Sequence, residues 1–176
     1  MLSAMLKTLE GKTTSIVFPE GNEPRVLNAA VRLHNDGYVT PVLLGNVEEV
    51  KAVAASIGVS VEGIEIIDPA TYAEMDEAAC RAALAKTNYF GTMLVAMKKA
   101  DGLVGGATYS TADTVRPALQ LVKTKPGSKI VSSAFILVRG DEKLAMGDCA
   151  INIMPTEDNI VEIALETANT AKVFGM

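Results

Sequence analysis

Gly105-Gly106-Ala107-Thr108-Tyr109-Ser110-Thr111-Ala112-Asp113-Thr114-Val115-Arg116-Pro117-Ala118-Leu119 reads as the passage from a strand through a tight loop into a helix. The apolar run Gly102-Leu103-Val104 supplies the strand and feeds the two glycines. Small hydroxyl residues follow, then an arginine, a proline and an apolar-periodic run. Such a junction turns free backbone N–H groups and the positive end of a helix dipole toward one point, which suits an anion. Arg116 adds a guanidinium able to grip two phosphate oxygens at once. Pro117 lacks an N–H, which places it in the first turn of the helix and puts the N-cap at Asp113 or Thr114. The stretch is neither G-x-x-x-x-G-K-[ST] nor G-x-G-x-x-G. Taken alone, it is also ordinary α/β loop chemistry.

Strands and helices alternate on the N-terminal side of this loop. Ser15-Ile16-Val17-Phe18 is an apolar strand stopped by Pro19. From Glu23 to Asn35 the apolar positions Val26, Leu27, Ala30, Val31 and Leu33 have helical spacing, and Gly37 ends the segment. Pro41-Val42-Leu43-Leu44 is the next strand; Asn46 caps a helix from Val47 to about Ile57; Gly63 to Ile67 is a third strand. Residues 3–10, 72–86 and 88–99 read as further helices. This alternation predicts right-handed βαβ units, hence an α/β fold of three layers, α/β/α, around a mostly parallel sheet.

Beyond Pro126-Gly127 the pattern changes. Lys129 to Val138 reads as one long strand, Arg139 to Glu142 as a hairpin turn, and Leu144-Ala145-Met146 as the return strand, with Asp148 to Ile153 still extended. Pro155-Thr156 opens a last helix whose apolar stripe is Ile160, Ala164, Leu165, Ala168 and Ala171. The expected organisation is a first α/β domain over 1–127 and the opening strands and helix of a second over 128–176. Apolar surface after Gly127 would favour association of chains.

Composition bounds what the chain does. With 176 residues, 49% hydrophobic and 21% charged, it buries a core without disulfide or metal staples. Sixteen Lys and Arg against 21 Asp and Glu give a net charge of −5, with no basic stripe, which argues against nucleic acid as a partner. No run approaches the roughly 18 apolar residues of a membrane span. Cys80 and Cys149 are far apart and lack metal-ligand spacing, so they read as reduced thiols of a cytoplasmic protein. The start of the chain has too few apolar residues for a signal peptide.

Few residues offer other chemistry. The one histidine, His34, falls at a helix end, where a cation suits the dipole; a Ser-His-Asp arrangement is not expected. Cys149 reads as a buried, inert thiol, Arg139 as solvated, and Tyr89-Phe90 as packing. Asp148, after an apolar strand, is either a turn residue or a carboxylate able to orient Arg116 or act on a thiol. Glu20 follows a strand at the carboxyl edge, where open α/β sheets bind ligands.

Ser110 to Gln120 resembles the signature of the phosphate acetyltransferase (phosphotransacetylase) family, within the wider phosphate acetyl/butyryltransferases. So do Asn88 to Val95, Phe18-Pro19-Glu20-Gly21, Lys123 to Gly127 and Asp148 to Asn152, in the family's order. The resemblance implies a fold similar to that of the isocitrate and isopropylmalate dehydrogenases. It implies the reaction acetyl-CoA plus phosphate to acetyl phosphate plus CoA, by direct acyl transfer in an interdomain cleft. It implies Arg116 and Ser110 as catalytic residues, and Ser110, Thr111, Thr114, Arg116, Asp148, Asn152 and Glu20 as contacts for phosphate, acetyl phosphate or CoA. CoA is then a substrate, no cofactor is permanently bound, no metal is required, and a homodimer is expected.

The sequence departs from the family's pattern in two places. Family members carry an arginine-bearing insertion between the counterparts of Tyr72 and Asn88, where this chain has only Arg81 at a different spacing. They are also longer, so the chain is expected to match their first domain and the opening of the second, without their final Ser-Arg segment and catalytic Asp. The alternatives are a phosphate butyryltransferase, a non-catalytic CoA- or acyl-phosphate-binding domain, and a structural half that needs a partner chain.

Overall fold

The computed structural model describes residues 6, 9, 11–71 and 84–176. The chain forms two compact units, residues 10–123 and residues 124–176 with 1–9. The helices expected over 3–10 and 72–86 lie largely outside the described residues, as do Cys80 and Arg81.

In residues 10–123 the order is β1 (Ser15–Phe18), α1 (Pro24–Asn35), β2 (Thr40–Leu44), α2 (Val47–Ser56), β3 (Glu65–Ile67), α3 (Thr87–Ala96), β4 (Gly102–Leu103) and α4 (Thr111–Pro117), which runs on into a π-helical segment, Ala118–Val122. The four strands pair in the order β3-β2-β1-β4, all parallel. Successive side chains of a strand point to opposite faces, and both faces here are covered. Phe18 and Leu43 face one way and pack with Leu27, Ala30 and Val31 of α1 and Val50 and Ala54 of α2. Val17, Val42 and Leu44 face the other way and pack with Phe90 and Leu94 of α3. The expected α/β class with its parallel sheet is present, and the helix starts read from Glu23 and Asn46 are present as side-chain caps.

The order β3-β2-β1-β4 has a consequence for function. The chain leaves β1 toward β2 on one side and returns to pair with β1 on the other, so a topological switch lies between β1 and β4. Open α/β sheets bind ligands in the crevice at the carboxyl ends of such a pair. The segments leaving those two ends are Pro19-Glu20-Gly21 and the loop from Val104 to Ser110. Gly21 lets the first of them lie directly on β2: its N–H donates to the Leu44 carbonyl at 3.1 Å, and a Cβ there would stand 2.5 Å from that oxygen.

The start of α4 differs from expectation. Ser110, not Asp113 or Thr114, is the N-cap: its Oγ accepts from the Asp113 N–H at 3.1 Å. Pro117 therefore falls at the last position of α4 instead of its first turn. A proline this deep in a helix leaves the carbonyl four residues earlier without its N–H. That carbonyl belongs to Asp113, and the buried Asn88 side chain of α3 supplies the missing donor, Nδ2 to O at 3.2 Å. Past the proline the backbone widens into the π-helical turn, closed by the Lys123 N–H on Ala118 O at 2.9 Å.

Residues 124–176 hold an antiparallel hairpin, β5 (Ala134–Arg139) and β6 (Glu142–Gly147), and the helix α5 (Glu157–Val173). The turn at Gly140-Asp141 and the helix start at Thr156 match the sequence reading. The long strand from Lys129 does not form before Ala134. Asp148 takes φ +49° and turns the return strand away, so the β5–β6 ladder ends at Ala134–Gly147, and Asp148 to Ile153 is a run of bends, not an extended continuation. The stripe expected on α5 is also out of phase. Ile163 is the buried residue, set with Thr167 against Gly147, whereas Ile160 and Leu165 are exposed. Outward on the hairpin, the cross-strand pairs Phe135–Met146 and Leu137–Leu144 are exposed. Among the described residues no helix is long and apolar enough to cross a membrane.

Candidate functional site

Glu20 is the organising residue of the switch-point loop. It is 4% exposed, although it is a carboxylate at a sheet edge. Its Oε2 accepts from the N–H groups of Gly106 at 2.7 Å and Ala107 at 2.8 Å. Its Oε1 accepts from the Tyr109 N–H at 3.0 Å, the Thr108 hydroxyl at 2.6 Å, and the Thr108 N–H. Gly106 holds φ +99°, a backbone turn that lets successive N–H groups converge. Burial disfavours the charged carboxylate, but the Thr108 hydroxyl and the N–H groups of Thr108, Ala107 and Tyr109 outweigh it, lowering the pKa to about 2. The loop N–H groups that the sequence offered to a phosphate are thus filled by the protein's own anion.

Beyond the loop, Ser110 and Thr114 are likewise engaged. The Ser110 hydroxyl donates to Asp113 Oδ2 at 2.7 Å, and the Thr114 hydroxyl donates to the Ser110 carbonyl at 3.0 Å. Arg116 and Thr111 are exposed, and neither has a hydrogen-bond or ion-pair partner among the described residues. Of the four described arginines, Arg25, Arg32 and Arg139 are ion-paired to Glu23, Asp36 and Glu142, and Arg116 is not. Arg116 lines a cavity of about 390 Å³ with Lys86, Thr87, Asn88, Tyr89, Tyr109 and Asp113. The Thr87 hydroxyl and the Tyr109 hydroxyl are 2.9 Å apart on its wall, and Tyr89 OH donates to Gln120 Oε1 at 2.7 Å. Two cations lining one cavity, with no carboxylate paired to either among the described residues, make a place for an anionic ligand.

Asp148 and Asn152 belong to the other compact unit and lie beside each other. The Asp148 carboxylate accepts from the Asn152 N–H at 3.1 Å, and Asn152 Nδ2 donates to Val131 O at 2.9 Å. Asp148 N–H donates to Ser133 O at 2.6 Å. The pair is thus locked as a turn on the 131–133 segment. Cys149 is half-buried, not buried, and its thiol donates to Met146 O at 3.3 Å.

The sequence reading missed Lys86, Asn88 and Tyr109 as cavity residues. Only Asn88 had a signal: once Pro117 is placed inside a helix, some donor must satisfy the Asp113 carbonyl. Which residue does so is set by the packing of α3, not by local pattern.

A parallel sheet with a built loop at its switch point, and beside it an arginine unpaired among the described residues, is the kind of corner at which α/β proteins bind ligands. The chain belongs to the phosphate acetyl/butaryl transferase family, whose sequence pattern matches residues 1–176. It is 44% identical to the phosphate acetyltransferase of Bacillus subtilis over 99% of this chain and 58% of that protein. A phosphate acetyltransferase of Staphylococcus aureus is also 44% identical, over 100% of this chain and 58% of the relative. Among solved structures, the EutD phosphotransacetylase from Staphylococcus aureus superposes with a TM-score of 0.90 at 43% identity, and a phosphotransacetylase from Streptococcus pyogenes with 0.93 at 42%. Each match covers 99% of this chain and 58% of the solved one. The chain thus spans somewhat over half the length of the relatives it matches.

Proposed function

We propose that this chain acts in acetyl transfer between CoA and phosphate, acetyl-CoA plus phosphate to acetyl phosphate plus CoA, with Arg116 holding the phosphate. The observation that carries this reading is the unpaired Arg116 guanidinium on a cavity it shares with Lys86. In this direction a phosphate oxygen attacks the thioester carbonyl, the carbon–sulfur bond breaks, and CoA leaves as the thiolate. Arg116 aligns the attacking phosphate and neutralises its charge as it nears the carbonyl. The exposed Thr111 hydroxyl, at the first position of α4, is proposed as a further donor to the phosphate. Ser110 and Thr114 act by fixing the start of α4, and Glu20 by fixing the loop before it. Asp148 and Asn152 are proposed as contacts for the CoA side.

Acetyl in preference to butyryl is supported by the names of the 44%-identical relatives. CoA enters as substrate, and no permanently bound cofactor is invoked. The free Cys149 thiol accords with a cytoplasmic setting. A homodimer is supported by the exposed pairs Phe135–Met146 and Leu137–Leu144.

The test is CoA release from acetyl-CoA in the presence of phosphate, followed with a thiol reagent. Release by the chain is expected, falling at least about 100-fold in Arg116→Ala, the scale of removing one transition-state donor. Phosphate-independent release, or release unchanged in Arg116→Ala, overturns the assignment of Arg116. No release by the unmodified chain overturns the catalytic reading for this chain.

A further inference from the structure

The loop over residues 106–109 is gripped twice. Glu20 takes four consecutive N–H groups, Gly106 to Tyr109, and the Thr108 hydroxyl. From the other side, Arg25 Nη2 donates to the Ala107 carbonyl at 3.2 Å. Arg25 is itself held by Glu23, the N-cap of α1, Nε to Oε1 at 2.6 Å. Convergent backbone N–H groups are the means by which a protein binds a free anion. Here the anion is covalently part of the chain, delivered from the carboxyl end of β1. The residue after the gripped segment is Ser110, the cap of α4, and Arg116 follows within that helix.

We infer that Glu20 is a positioning residue, a built-in anion that fixes the 106–109 loop, sets where α4 begins and so aims Arg116. It also keeps ligand phosphate off those four N–H groups and leaves the ligand to the Arg116 side. The second half of this inference rests on the reading of Arg116 proposed above; the first half does not. Removing the carboxylate, as in Glu20→Ala, leaves the convergent donors without an acceptor, and a small carboxylate from solution can then take its place.

The experiment is a thermal-shift titration of Glu20→Ala with sodium formate. Sodium chloride at equal ionic strength and the neutral isostere formamide are the controls, and the unmodified protein runs alongside. Saturable stabilisation of Glu20→Ala by formate alone, absent in the unmodified protein, is the expected result. Stabilisation equal to that by chloride overturns the inference. If Glu20→Ala does not fold unaided, recovery of folded protein on refolding in formate against chloride gives the same readout.

The positioning half is tested by acetyl phosphate affinity. A loss of about tenfold in Glu20→Ala, about 1.4 kcal/mol, with recovery in saturating formate, is expected. Undiminished affinity in a formate-responsive Glu20→Ala overturns the positioning role. Absence of acetyl phosphate binding by the unmodified protein removes the positioning half together with the Arg116 reading, and leaves the formate result as the test of the built-in anion.

Discussion

Glu20→Gln is expected to lower the free energy of unfolding by about 3 kcal/mol at pH 7, with the difference from the unmodified protein shrinking as the solution is acidified. The carboxylate is buried, which by itself opposes ionisation, yet the Thr108 hydroxyl and the N–H groups of Thr108, Ala107 and Tyr109 hold the pKa at about 2 against an unfolded value of about 4.5. A folded pKa below the unfolded one means that the unfolded chain binds the proton more readily. The stabilisation is therefore complete above about pH 4.5 and is lost as the pH falls through that value toward 2. Its size follows from the gap between the two values at about 1.4 kcal/mol per pKa unit. Glutamine preserves volume but turns an NH₂ group toward the loop's N–H donors, so at least one donor is left facing another. Urea unfolding of both proteins at pH 7 and again near pH 3 checks this. A separation at pH 7 that shrinks by about half or more near pH 3 is the expected pattern, and an equal separation at both would show that ionisation of Glu20 is not the source.

Leu43→Ala is expected to destabilise by roughly 2–5 kcal/mol, the range for truncating a fully buried leucine. Leu43 is a 0% exposed residue of β2 and packs among Phe18, Leu27 and Val50. Its neighbours belong to a strand and two helices, so they close over the missing methyl groups only in part, and the cavity adds to the lost transfer free energy. Leu165→Ala, at an exposed position of α5, is the contrast and should change stability by no more than about 0.5 kcal/mol. Denaturation midpoints measured side by side separate the two. A Leu43→Ala effect as small as that of Leu165→Ala would mean that β2 is not the core strand described above.

The legibility of the sequence followed how local each signal was. Strands β1 to β3 and helices α1 and α2 were readable because each is announced by nearby residues: apolar runs, the Glu23 and Asn46 starts, the closing Gly37. The start of α4 was misread for a tertiary reason. Pro117 has no N–H wherever it stands, and the local rule puts it early in a helix. Asn88, 25 residues away on α3, meets the orphaned carbonyl and makes a late position tolerable. The strand expected from Lys129 failed similarly. Its apolar composition suits a strand, but pairing depends on where the opposing chain turns, and Asp148 turns it away.

The candidate site was legible in its residue types more than in their roles. Glu20 and the loop from Gly105 to Ser110 stood out, but as separate ligand contacts. No local pattern says that the carboxylate fills the loop, because the two meet only through the β1–β4 pairing. Arg116 was legible as a phosphate-gripping residue, and the structure leaves it unpaired among the described residues. Its cavity companions Lys86 and Tyr109 carry no motif, since they are assembled by α3 lying against α4.

The most direct test of the account is calorimetric titration of acetyl phosphate into the unmodified chain and into Arg116→Ala. Saturable binding that weakens by at least tenfold in Arg116→Ala, with both proteins equally folded, is the predicted result. Equal affinity in the two proteins, or no binding to either, would contradict it and detach phosphate recognition from the corner built by Glu20, the 106–109 loop and α4.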